Sequence, residues 1–274
     1  MRDTNRRILP GFWTSLSFTL AYLTLIVLLP ITACFLKASE LSPEEFVAAV
    51  WNPRARAAYA LTFGASLTAA TINVPIGVLI AWVLARYRFP LQRLFDALVD
   101  LPLALPTAVA GLVYSNLYVQ SGWLGRYLVP LGIHGSYSRL GIVLVLTFTG
   151  LPFVVRTVQP ILENIEAELE EAAASLGATR LQTFWRVLLP AIFPAMVTGF
   201  ALAFARGLGE YGSVIFVSGN MPFKTEIAPV LIVAALEEFN YRQAAAIATV
   251  LLGISLSLLF LINLFERWSA RHAS

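Results

Sequence analysis

The chain has 274 residues, 58% of them hydrophobic and 13% charged, with a formal net charge of +3 and a mean hydropathy of +0.75. Soluble domains carry about 25% charged residues, so a water-soluble globule is excluded, and so is a disordered chain, which needs few apolar residues and many charges. A single cysteine, Cys34, excludes a disulfide scaffold, and Lys and Arg scattered in twos and threes form no basic block or stripe for nucleic acid.

What remains is a chain whose solvent is lipid, where a helical span takes about 20 apolar residues. Six long apolar runs follow one another at about 16–36, 59–85, 97–119, 139–155, 191–218 and 244–265. The expected fold is therefore all-α: one transmembrane domain over residues 1–274 with six membrane-spanning helices and short loops. The run 227–236 is too short to span and reads as an interfacial or re-entrant helix. The side of the membrane richer in Arg and Lys is the cytoplasmic one. With the N-terminus inside, the inner segments carry Arg2, Arg6, Arg7, Arg86, Arg88, Arg93, Arg156, Arg180, Arg186, Arg267 and Arg271. The outer segments carry Lys37, Arg54, Arg56, Arg126, Arg139, Lys224 and Arg242. Both termini are then cytoplasmic, and 160–190 is the long inner loop. The first run has a second reading, because basic residues, an apolar run and Ile31-Thr32-Ala33-Cys34 also make a bacterial lipoprotein signal with a lipidated cysteine. Its length, beyond the 7–15 residues of a typical signal core, and the five runs that follow favour a span.

Catalytic chemistry has little to stand on. No Gly-Lys-Ser or Gly-Lys-Thr occurs, so a phosphate-cradling loop for ATP is missing. The only histidines are His134, in an outer loop, and His272, in the tail, which leaves no ligand pair for haem and no His/Cys cluster for zinc. No enzyme activity and no cofactor are expected in this chain.

The inner loop is the informative stretch. Residues 163–177 read ENIEAELEEAAASLG, rich in helix formers, with Pro160 placed to start a helix and Gly177 to stop it. Thr179-Arg180-Leu181-Gln182 matches a capping box that opens a second helix. Leu181, Phe184, Trp185 and Leu188 are spaced to share one face of it, and Pro190 closes it at the fifth run. Two short helices joined by a glycine bend could lie flat on lipid headgroups or dock a partner. Glu163, Glu166, Glu168, Glu170 and Glu171 weigh against anionic headgroups.

Glu171-Ala172-Ala173, three residues, Gly177, nine residues, then Val187-Leu188-Leu189-Pro190 resembles the EAA loop of bacterial ABC importer permeases of the MetI-like, type I fold. Val187 stands where that pattern has Ile. The resemblance implies that this loop is a coupling helix docked on a separate ATPase, with Glu171, Ala172, Ala173, Gly177, Leu189 and Pro190 as its coupling residues. Further segments are similar to sulfate/thiosulfate permeases of the CysT (CysU) kind, inner-membrane components of binding-protein-dependent transport. They are Asp100-Leu101-Pro102, Leu105 to Gly111, Leu151 to Pro160, Leu208-Gly209-Glu210-Tyr211-Gly212 and Gly219-Asn220 with Lys224-Thr225-Glu226. That likeness implies an importer of the bacterial inner membrane working by alternating access. It would comprise a CysW-type second permease, two copies of a CysA-type ATPase carrying ATP-Mg, and a periplasmic sulfate/thiosulfate-binding protein. Molybdate permeases share the plan and the Leu-Gly-Glu segment. A secondary transporter that needs no ATPase is the reading from another class, and the EAA loop argues against it.

Charges inside a membrane are functional candidates. Arg206 and Glu210 lie four apart in the fifth run, about 24 Å along a helix counted from Pro190. Gly207, Gly209 and Gly212 surround them, so a broken helix there could offer backbone N–H groups to a dianion as part of a substrate path or gate. The other reading is a structural ion pair that fixes helix packing. Asp100 with Pro102 and Pro106 reads as a structural kink near the inner end of the third run. Glu237, Glu238, Lys224 and Arg242 read either as a solvated outer loop or as a contact for the binding protein.

Overall fold

In lipid every backbone polar group must be satisfied within its own segment or by a closed barrel. The computed structural model describes residues 11–165 and 167–272, with the side chains of 167 and 265–272 left aside, and among these the chain uses helices and no strands. Arg2, Arg6, Arg7 and Glu166 lie outside the described residues.

Five helices are long and apolar enough to cross a membrane: α1 (Phe12–Ala38), then, after α2 (Pro43–Val50), α3 (Pro53–Arg86), and further on α7 (Arg139–Asn164), α9 (Arg180–Leu208) and α12 (Tyr241–His272), the last by its stretch to Leu264. Between α3 and α7 come α4 (Gln92–Val99), α5 (Leu101–Ala104) and α6 (Thr107–Tyr118). The loop between α7 and α9 holds α8 (Ala167–Ser175), and α10 (Val214–Ser218) and α11 (Ala228–Glu237) lie between α9 and α12.

The third expected span is thus present in pieces. Leu105 precedes Pro106 and leaves the helical region at φ −79°, ψ 135°, because the proline ring crowds a helical residue before it. The fifth is broken as well: α9 stops at Leu208, and α10 resumes at Val214 after the glycines. The short run 227–236 is the ten-residue α11, whose Ala228, Val230, Leu231 and Ala235 are buried.

Two prolines do not mark helix boundaries where the sequence suggested, Pro160 a start and Pro190 an end. Pro160 lies inside α7, which continues to Asn164, so the loop helix starts later, at Ala167. Pro190 lies inside α9, which runs on from the loop into the membrane. A wide π-helical turn at Phe184–Leu188 comes immediately before it, and the same turn at Thr24–Leu28 precedes Pro30 in α1. A proline lacks the N–H donor and its ring clashes with the carbonyl four residues back; a widened turn relieves both without breaking the rod.

The core is the bundle of α3, α7 and α9. No hydrophobic force drives helix pairing in lipid, so close packing must do it, and small residues permit close approach. Val154 of α7 is pressed from both sides: a Cβ on Gly77 of α3 would come within 2.7 Å of its Cγ1, and one on Gly199 of α9 within 2.8 Å of its Cα. Val154, Val155, Val158, Leu162 and Ile192 are fully buried around this crossing. α12 packs against α1 and α11 on the flank, with Cys34 Sγ of α1 3.7 Å from the Ala245 carbonyl. Outward faces stay apolar: Phe18, Leu25 and Phe260 are all exposed, as a surface facing acyl chains requires.

Candidate functional site

The inner loop is built by two caps. Gly177 has φ +82°, the left-handed region that disfavours a side chain. Its N–H donates to the Ala174 carbonyl at 2.9 Å, and the Ala178 N–H donates to the Ala173 carbonyl at 3.0 Å. This is the paired closure of a Schellman motif, which satisfies the last carbonyls of α8 and turns the chain. Thr179 then caps α9: its hydroxyl accepts from Gln182 N–H at 3.3 Å, and Gln182 Oε1 accepts from Thr179 N–H at 2.8 Å. The expected capping box and glycine stop are both present.

Glu171, Ala172, Ala173 and Gly177 share this bend, with Glu171 and Ala172 exposed. Leu189 and Pro190 do not: they lie farther along α9, where Leu189 packs against the three-helix core. The expected single apolar face divides. Leu188 is buried and Phe184 stands edge-on to Trp82 of α3 at 5.8 Å, whereas Leu181 and Trp185 are exposed at 68% and 60%. The π-helical turn shifts the register between the two pairs. Leu176, at the tip of the bend, is 88% exposed. A cavity of about 570 Å³ lies between the bend and the end of α3, lined in part by Trp82, Arg86, Glu170, Glu171 and Arg180.

The second cluster sits at the break in α9, about 40 Å farther along the helix. Arg206 and Glu210 form an ion pair, and the Glu210 side chain is 1% exposed. Glu210 Oε1 also accepts from Ser213 N–H at 2.9 Å and from Ser213 Oγ at 2.8 Å. One carboxylate therefore ties the last turn of α9 to the first of α10. Gly207 is buried against Ser66 of α3, where a Cβ would lie 3.0 Å from Oγ, while Gly209 has open space around it. Gly212 lies against Thr107, and Gly111 against the Ser213 backbone. The two breaks, at Leu105–Pro106 and at Gly209–Gly212, thus meet, and α6 begins beside them with no side-chain cap on its first N–H groups.

The ion pairs of three arginines were not singled out from the sequence. Arg156 binds Asp100 in a two-pronged fork, Nε to Oδ1 at 2.9 Å and Nη2 to Oδ2 at 2.7 Å, and reaches Asp96 Oδ1 with Nη1 at 2.7 Å. It clamps the α4–α5 segment to the second half of α7, so Asp100 takes part in a packing contact. Arg54 makes a similar fork to Glu226 at 2.8 and 2.7 Å at the start of α3, and further along α3 Thr62 Oγ1 accepts from Ala228 N–H at 2.8 Å. Arg86 pairs with Glu170 at 2.8 Å. All three arginines reach partners far apart in sequence, which no local spacing signals. Glu237 and Glu238 are exposed. No group of three metal-ligating side chains occurs among the described residues.

Residues 73–274 match the family described as binding-protein-dependent transport system inner membrane component. The sulfate transport system permease protein CysT of Synechocystis sp. is 49% identical over 268 residues, covering 96% of this chain and 94% of the relative. CysT of Salmonella typhimurium is 49% identical, covering 96% of this chain and 95% of the relative. Among solved structures, a bacterial alginate ABC transporter, in complex with an alginate pentasaccharide-bound periplasmic protein, matches with a TM-score of 0.77 at 18% identity, over 93% of each chain. The MetNI methionine ABC transporter matches with a TM-score of 0.54 at 21% identity, over 85% of this chain and 100% of the other. At such identities these structures share the fold.

Proposed function

We propose, because this chain belongs to the binding-protein-dependent transport system inner membrane component family, that it is the permease subunit of an ATP-driven sulfate importer. The observation that carries this is the 49% identity to a sulfate permease over nearly the full length of both chains. The chain is a multi-pass membrane protein and a transport subunit, and the hydrolysis of ATP belongs to a partner ATPase. In finer detail the complex comprises this chain, a CysW-type second permease, two CysA-type ATPases that carry ATP-Mg, and a periplasmic sulfate/thiosulfate-binding protein, in the bacterial inner membrane with both termini cytoplasmic.

The coupling role goes to Glu171, Ala172, Ala173 and Gly177, with Leu189 and Pro190 carrying the rod into the membrane. An exposed acidic helix with Leu176 at its tip suits docking on a protein groove. Because α9 is continuous from Arg180 to Leu208, a displacement at the loop travels directly to the break beside Arg206. There, Arg206, Glu210, Gly207 and Gly209 form the substrate path or gate. The discontinuous helices supply N–H groups without a side-chain cap at the break, and such groups hold an anion without a full counter-charge.

The test is labelled-sulfate uptake by proteoliposomes holding the assembled complex and its binding protein. Excess thiosulfate should suppress ATP-dependent uptake and molybdate should not. Suppression by molybdate alone would assign the complex to another oxyanion.

A further inference from the structure

Helix α8 is joined covalently to α7 before it and to α9 after it, and a displacement of α8 would by that route reach α9. A second attachment leads elsewhere. Arg86 is the last residue of α3, and its Nη2 lies 2.8 Å from Glu170 Oε1 in the first half of α8. The same Nη2 reaches the Ile165 carbonyl at 3.4 Å, just before α8 begins. Among the described residues this is the ion pair that joins α8 to a membrane-spanning helix. The anchor itself is held: Gln92 Nε2 donates to the Leu84 carbonyl at 2.7 Å, closing the end of α3, and Trp82, one turn back, meets Phe184 of α9. Adjacent residues on a helix point about 100° apart, so Glu170 turns toward Arg86 while Glu171 remains exposed for a partner.

We propose that Arg86 is a positioning residue that couples the movement of α8 to α3, so that the loop drives two core helices rather than one. This rests on the reading of the loop as the ATPase-facing element. α3 is the helix that supplies Ser66 against Gly207 beside the break. A loop displacement delivered to α9 alone moves only one side of that contact. Delivered also through Arg86, it sets the relative position of α3 and α9 where the break lies. The pair is partly exposed, with side chains 21% and 35% accessible, and partly exposed ion pairs contribute little to stability. Its loss therefore leaves folding and assembly in place and acts on transmission.

The test uses the whole complex in proteoliposomes, with sulfate imported per ATP hydrolysed as the readout and assembly followed by gel filtration. Glu170→Gln and Arg86→Gln are each expected to lower that ratio about fivefold or more, the size of an ordinary coupling between sites, with ATP hydrolysis continuing. The exchanged pair Arg86→Glu with Glu170→Arg should restore it, which a general disturbance would not allow. An unchanged ratio in the single variants, no recovery in the exchanged pair, or failure of the Glu170→Gln complex to assemble would each overturn the proposal. If the unaltered complex shows no ATP-dependent uptake, the functional reading fails instead, so the two failures are distinct.

Discussion

Glu210 shows how one residue in lipid is made tolerable. A carboxylate out of water is costly unless paired and hydrogen-bonded, and Glu210 has a guanidinium, an amide and a hydroxyl around it. Removing Arg206 leaves the Glu210 carboxylate buried without its counter-charge, a loss of about 3–5 kcal/mol for a fully buried pair. Arg206→Ala is therefore expected to abolish sulfate transport while the complex still assembles. Arg206→Met combined with Glu210→Gln removes the stranded charge and separates the two readings. Continued loss of transport marks a path residue, and normal transport marks a packing pair. The spacing of four made this pair legible in the sequence. Ser213 was not legible, because its role exists only once the helix has broken and the chain has turned back on the carboxylate.

At the scale of elements, local rules worked where a residue's own backbone decided the outcome. Leu105 before Pro106, Gly177 in the left-handed region and the Thr179–Gln182 box each act within a few residues. They failed where the surroundings decided. Pro160 and Pro190 remain within helices, and at Pro190 a widened turn compensates for the missing donor. The face read for Leu181, Phe184, Trp185 and Leu188 assumed a regular helical period, which the π-helical turn does not keep. The bend at Gly177 has nothing within 4 Å of a Cβ built on it, so Gly177→Val acts through the backbone alone. A left-handed residue with a side chain costs about 1–2 kcal/mol, and the bend should reopen. The expected outcome is ATP hydrolysis without matching uptake, read as a fall in sulfate imported per ATP; a wild-type ratio would contradict the role of the bend.

For the whole molecule, composition announced a membrane protein and the positions of the few charges carried most of the rest. Charged forks fasten the bundle at two levels, Arg54–Glu226 at the start of α3 and Arg156–Asp100 in the second half of α7. The broken spans meet between them, and one uninterrupted helix connects that point with the exposed loop. These long-range pairings join Arg54 with Glu226 and Arg156 with Asp100, and no local pattern relates such distant positions. A rod that links an outside energy source to a broken helix predicts transport that stops when the energy source stops. The direct measurement is labelled-sulfate uptake by the reconstituted complex with ATP, with a non-hydrolysable ATP analogue, and with an imposed proton or sodium gradient alone. Uptake that requires hydrolysable ATP and falls to background in the other two conditions is the predicted result; uptake driven by an ion gradient without ATP would contradict it.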